Sequence, residues 1–139
     1  MNYLDWISKW ASYTPDKKAM FCYDTGKSFT YRQLDENSLK IGIYLKNHFQ
    51  LKKGDRLAVL AEHSPEYLML FIATQRLGII LVPLNYRATE YELQHCLEDV
   101  NPALFLADWM SFESKAIRLQ ENLEMPIIPT VSFFSEAFK

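Results

Sequence analysis

The sequence predicts an α/β fold: a parallel (mixed) sheet flanked by helices, with a small N-terminal β-hairpin. Three observations carry this. Short unbroken apolar runs at Leu57 to Ala61, Ile79 to Val82 and Ala103 to Ala107 read as strands buried on both faces. Helical patterns alternate with them, one nearly all apolar from Tyr67 to Ala73, one striped at Leu93, Cys96, Leu97 and Val100. Strand, helix and strand in succession make a βαβ unit, which is parallel and right-handed. At 139 residues the chain has the length of one domain, so residues 1–139 are expected to form a single α/β subdomain.

Each element has its own signal. Leu4, Ile7, Trp10 and Ala11 share one helical face within Tyr3 to Thr14, and Thr14-Pro15-Asp16 ends that helix. Ala19 to Tyr23 and Ser28 to Tyr31 form a hairpin around Asp24-Thr25-Gly26-Lys27. Thr30 and Gln33 make a capping box for a helix whose inward stripe is Leu34, Ser38, Ile41, Leu45 and Phe49, with Gly42 beside it at a close helix contact. Leu51 to Asp55 is a turn into the strand at Leu57. Ser64, Pro65 and Glu66 suit the cap and first turn of the apolar helix, and Gly78 its left-handed end. That helix is too apolar for a surface and is expected between the sheet and other helices. Pro83 stops the following strand. Thr89 and Glu92 form a second capping box, and Asn101-Pro102 ends that helix. After Asp108, Ser111 is placed to cap a helix with Ala116, Ile117, Leu119 and Leu123 inward. Ile127 to Val131 is a last strand, and Pro129 puts it at an edge or a bulge. The closing SFFSEAFK is apolar for a chain end.

Composition narrows the function classes. A net charge of −2 without a basic stripe speaks against nucleic acid. MNYLDWISKW lacks the basic start of a secretory signal, and no apolar run approaches the roughly 20 residues of a membrane helix. A cytoplasmic protein is expected. Cys22 and Cys96 have no metal-like spacing and read as small buried side chains in a reducing compartment.

Catalytic motifs are nearly absent. Gly26, Gly42, Gly54 and Gly78 are far apart, so no glycine-rich loop surrounds a phosphate. His48, His63 and His95 form no ligand pair at helical spacing, and there is no G-x-S-x-G elbow. No metal site is expected. In an open parallel sheet ligands sit at the carboxyl ends of the strands. Those ends carry Glu62-His63-Ser64, Asn85-Tyr86-Arg87 and Asp108. His63 is either a base or ligand group or a solvated loop residue. Arg87 either binds an anion or pairs with Glu90 or Glu92. Asp108 reads as a turn or cap residue.

The ordered motifs resemble the N-terminal part of the adenylate-forming (AMP-binding) enzymes, which include acyl-CoA synthetases. They are TY-x-x-L at Thr30, Tyr31 and Leu34, then Gly54-Asp55 with Leu57 and Ala58. S-P-E-Y follows at Ser64 to Tyr67, then Gly78 with Val82 to Asn85, and T-x-x-E-L at Thr89, Glu92 and Leu93. TPDKKA, Thr14 to Ala19, also fits, and the resemblance covers about residues 1–131.

The resemblance implies the N-terminal subdomain of an acyl-CoA synthetase-like fold. It implies a parent enzyme that activates a carboxylic or fatty acid with ATP and Mg²⁺ to an acyl-adenylate and passes the acyl group to coenzyme A. The family's glycine-, serine- and threonine-rich phosphate loop and C-terminal lysine are absent from these residues. The chain is therefore expected to be an N-terminal fragment, inactive and cofactor-free alone, with no catalytic residue of its own. Arg87 is the one position carried over, toward the CoA phosphates. An uncovered sheet edge and apolar helices are expected to drive self-association. Two other readings stand beside this one: a piece of an aryl-acid ligase or peptide-synthetase adenylation domain, and a free-standing non-catalytic α/β binding module.

Overall fold

The computed structural model describes residues 5–123 and 125–139. In chain order the elements are α1 (Trp6–Tyr13), β1 (Lys18–Phe21), β2 (Ser28–Thr30), α2 (Tyr31–Asn47), β3 (Arg56–Leu60) and α3 (Pro65–Leu77). They continue with β4 (Ile80–Pro83), α4 (Glu90–Val100), β5 (Leu104–Ala107), α5 (Trp109–Leu123), β6 (Ile127–Pro129) and α6 (Thr130–Ala137). Strands β1 and β2 form the antiparallel hairpin, and the other four make a parallel sheet in the order β4-β3-β5-β6. Tyr3 and Leu4, assigned to the first helix from the sequence, lie outside the described residues.

Local chemistry sets the helix starts. The Asp5 carboxylate accepts the Ser8 N–H at 3.0 Å and caps α1. Both capping boxes form, at Thr30 with Gln33 and at Thr89 with Glu92. Ser64 caps α3, Pro65 opens it, and Gly78 closes it at φ 69°. A Cβ on Gly78 would stand 2.9 Å from Lys53 Cγ, so this end needs glycine for space as well as for backbone freedom.

Period-two alternation on the central strands splits the core into two layers. Leu57, Val59, Leu104 and Leu106 pack with Leu34, Ile41 and Leu45 of α2, Met69, Leu70 and Ala73 of α3, and Phe133 of α6. Ala58, Leu60, Phe105 and Ala107 pack with Leu93 and Leu97 of α4 and Ala116 and Leu119 of α5. The step from β3 to β4 runs one way across the sheet, and the step from β4 to β5 runs back past β3. Crossovers of one hand then put their helices on opposite faces.

Several expectations need correction. Strand β4 is an edge strand, not a buried one, and Ile80 is half exposed. Pro83 is its last paired residue, opposite Val59, and the ladder continues through the Leu84 N–H to the Val59 carbonyl at 2.8 Å. Helix α3 is not fully sandwiched, since Leu68 and Phe71 reach solvent. Ser111 lies inside α5 rather than at its cap. The Asp108 carboxylate takes the Met110 N–H at 3.1 Å, and the helix kinks at Phe112. Ile117 is exposed. Cys96 is exposed and Cys22 only half-buried, because α4 buries Leu93 and Leu97 and leaves Cys96 outside that narrow stripe, and Cys22 follows a short hairpin strand. The last strand stops at Pro129 rather than Val131, and Thr130 and Val131 open α6, a helix folded back onto α2.

Candidate functional site

All four strands of the parallel sheet point the same way, so their carboxyl ends share one edge. Strands β3 and β5 are neighbours there, yet β3 leads into α3 on one face and β5 into α5 on the other. The backbone diverges at that point and leaves a cleft, as doubly wound sheets do. The cleft holds about 410 Å³. Ala61 to Ser64 line it from the end of β3, Tyr67 from α3, Asp108 from the end of β5, and Thr130, Val131, Phe134 and Phe138 from the last helix and its end.

The structure thus brings Glu62, His63, Ser64 and Asp108 together. Two of them are already engaged. Ser64 Oγ accepts the Tyr67 N–H at 3.1 Å, and Asp108 caps α5 while its own N–H donates to the Leu60 carbonyl at 2.8 Å. The His63 ring meets the Tyr67 ring edge to face at 5.6 Å. Burial pushes the Tyr67 hydroxyl up from its ordinary value. Sequence reasoning missed Tyr67, Thr130, Phe134 and Phe138. The apolar SFFSEAFK run was the available signal for Phe134 and Phe138.

Charge decides what the cleft can hold. Glu62, Glu66 and Asp108 line it, and among the described residues no lysine or arginine does. Three carboxylates without a cation repel a triphosphate. Among the described residues no three histidine, cysteine or acidic side chains gather to hold a metal ion. These residues therefore do not by themselves fit ATP with Mg²⁺. The apolar wall of Val131, Phe134 and Phe138 suits an uncharged or apolar group instead.

Asn85, Tyr86 and Arg87 lie apart from the cleft, in the loop from β4 to α4. The Arg87 N–H donates to Asn85 Oδ1 at 3.0 Å. Lys115 Nζ donates to the Tyr86 and Ala88 carbonyls at 2.9 and 2.8 Å, and the Tyr86 ring lies 5.6 Å from Phe112, so the loop is fixed. The Arg87 guanidinium is exposed over the Tyr86 ring at 5.6 Å. Neither expected acidic partner holds it. Glu90 binds Arg118 at 2.9 Å, and Glu92 accepts the Thr89 N–H, a bond that keeps its carboxyl below the usual range. Among the described residues Arg87 makes no ion pair, which leaves it available to an anion.

The same fold recurs among known proteins. The family model described as AMP-binding enzyme matches residues 7–137. A fatty acid–acyl-carrier-protein ligase of Streptomyces coeruleorubidus is 36% identical over 99 residues, which is 70% of this chain and 18% of that protein. A long-chain-fatty-acid–CoA ligase of Haemophilus influenzae is 33% identical over 96 residues, 69% of this chain and 17% of that protein. The O-succinylbenzoate coenzyme A synthetase of Bacillus subtilis, solved with ATP and magnesium, superposes with a TM-score of 0.78 at 26% identity. The match covers 93% of this chain and 33% of that one. The aligned segment spans less than a fifth of the length of these curated relatives. No helix among the described residues is long and apolar enough to cross a membrane.

Proposed function

Because the chain belongs to the AMP-binding enzyme family, we propose that it forms the N-terminal part of a cytoplasmic, ATP-dependent ligase joining a fatty acid to coenzyme A. The observation that carries this is the family match over residues 7–137, together with relatives named for fatty-acid ligation. In the whole ligase ATP, Mg²⁺ and CoA would be the cofactors. Residues 1–139 would act as one α/β subdomain, supplying the sheet and its cleft but no reacting group. The carboxylate-lined cleft supports this division of labour, since the phosphates must be held by residues outside this segment. The 139-residue polypeptide alone would then be inactive. Arg87, exposed on a fixed loop and in no ion pair among the described residues, is the residue proposed to face the CoA phosphates. Self-association through its uncovered surfaces completes the proposal.

One experiment on both half-reactions tests the reading. The 139-residue polypeptide should show no ATP–pyrophosphate exchange with fatty acids, and exchange above background would reject its proposed inactivity. In a ligase that continues this segment with a phosphate loop and C-terminal domain, exchange should appear. Arg87→Ala there should leave exchange unchanged and raise the KM for CoA about tenfold, the loss of one charged hydrogen bond. An unchanged KM would remove Arg87 from the CoA site. No exchange with any fatty acid in the continued protein would remove the fatty-acid assignment.

A further inference from the structure

The outward face of α1 and the hairpin next to it carry a display that neither the cleft nor the ligase reading uses. Trp6, Trp10 and Tyr13 recur at helical spacing and are 64%, 38% and 69% exposed. Lys9 lies between them, its ammonium 5.6 Å from the Trp6 ring and 5.7 Å from the Trp10 ring. On the hairpin, Phe21 and Tyr23 are exposed, and the Lys18 ammonium stands 5.6 Å from the Phe21 ring. The Trp10 ring lies 6.3 Å from Tyr31, where the hairpin enters α2, and joins the two sets.

This display is held in place. Asp5, at the start of α1, accepts from Arg76 of α3 at 2.8 Å, and Ile7 packs against the core, while Trp10, expected on the same face as Ile7, is 38% exposed. The aromatic stripe is therefore left outward by a built contact. Beyond Trp6 the apolar surface continues into a groove of about 490 Å³ between α1 and α3, walled by Leu68 and Phe71.

Charge identifies the partner. Residues 5–32 carry five cationic side chains against three acidic ones, in a chain of net charge −2. Asp5 faces Arg76, and Asp16 faces Arg32 at 3.2 Å. Among the described residues Lys9, Lys17, Lys18 and Lys27 are in no ion pair. We propose that this face docks on an anionic lipid bilayer surface. Tryptophan and tyrosine have an apolar body and a polar edge, which places their rings at the level of the headgroups. Lysines beside them meet the negative surface potential. The remaining chain is net acidic and is repelled, so the same field that attracts this face also orients the molecule. A second copy of the chain fits the face poorly, because it would set lysine against lysine.

The test is a titration of the 139-residue protein with phosphatidylcholine vesicles containing about 30 mol% phosphatidylglycerol, an anionic headgroup. Tryptophan emission and co-sedimentation report binding. Emission should shift to the blue, and pure phosphatidylcholine vesicles should bind at least about tenfold more weakly. Lys9→Gln with Lys18→Gln should weaken binding about fivefold per lysine removed. Trp6→Ser with Tyr23→Ser should weaken it by a similar or larger factor. Circular dichroism confirms that each variant is folded, and both lysines are exposed. Absence of binding, equal binding to both vesicles, or wild-type binding by the folded lysine variant overturns the proposal. So does a vesicle-free association that Trp6→Ser abolishes, which would make the face a contact between copies.

Discussion

Arg76 reaches two carboxylates that lie far from it in sequence. Its Nε donates to Asp5 Oδ2 at 2.8 Å, its Nη1 to the Asp35 carbonyl at 3.2 Å, and its Nη2 to the Asp35 carboxylate. One guanidinium thereby ties α1 and α2 to α3. Burial pushes the Asp5 carboxyl up, but the Arg76 hydrogen bond, the Ser8 N–H and the arginine's charge outweigh it and hold the carboxyl below its ordinary value. Burial likewise works against the charged Arg76, and its two acidic partners more than offset this. A carboxyl whose folded pKa lies below its unfolded one stabilises fully above about pH 4, and that contribution is lost as pH falls through the folded value. Asp5→Asn keeps the helix cap and removes the ion pair. It should cost about 1 kcal/mol at neutral pH, given solvent screening at this partly exposed site. The gap from the unmodified chain should close below about pH 4. Urea unfolding of both proteins at neutral and acid pH checks this, and a gap that persists unchanged into acid contradicts it. None of this was legible in the sequence, because nothing local marks a pairing between Asp5 and Arg76.

At the scale of the element, legibility followed locality. The runs of β3 and β5 were readable because a central strand buried on both faces needs an unbroken apolar sequence, but the equally apolar run of β4 lies on an edge, which its sequence does not reveal. Both capping boxes were readable because four adjacent residues satisfy them. The width of a buried stripe was not readable, because it depends on what the helix meets. Helix α4 offered Leu93, Cys96, Leu97 and Val100, and only Leu93 and Leu97 are buried. The cleft's outer wall was missed for a related reason. Helix α6 has eight residues, no side-chain cap, and a proline at its N-cap, so it sends no start signal beyond its apolar content. Its stability is tertiary. Phe133 is fully buried, with Tyr44 at 5.4 Å and Phe49 at 5.9 Å between ring centroids. Phe133→Ala should cost about 3–5 kcal/mol, the transfer loss plus an unfilled cavity. The cost should fall on unfolding by urea and release α6 from α2. A loss under about 1 kcal/mol would mean that α6 contributes little to the core.

For the whole molecule, the position of this chain's apolar surface favours helix faces over sheet edges as the route of self-association. The two edge strands are short, four residues in β4 and three in β6, and each ends in proline. Such edges are poor templates for strand addition. The outward side of α2 is different. Leu39 and Ile43, one turn apart, are 55% and 51% exposed. Two copies meeting by this face would bury both residues from each helix, and a net charge of −2 offers little repulsion to prevent it. Light scattering across a concentration series should therefore give a mass that rises toward a dimer or larger species. Leu39→Lys with Ile43→Lys should return the 16.3 kDa monomer without loss of helical signal. A monomer at every concentration would reject self-association outright. A dimer indifferent to the α2 variant would instead place the contact elsewhere, on the aromatic face of α1 or on a sheet edge, where Ile80 is the exposed apolar residue of β4.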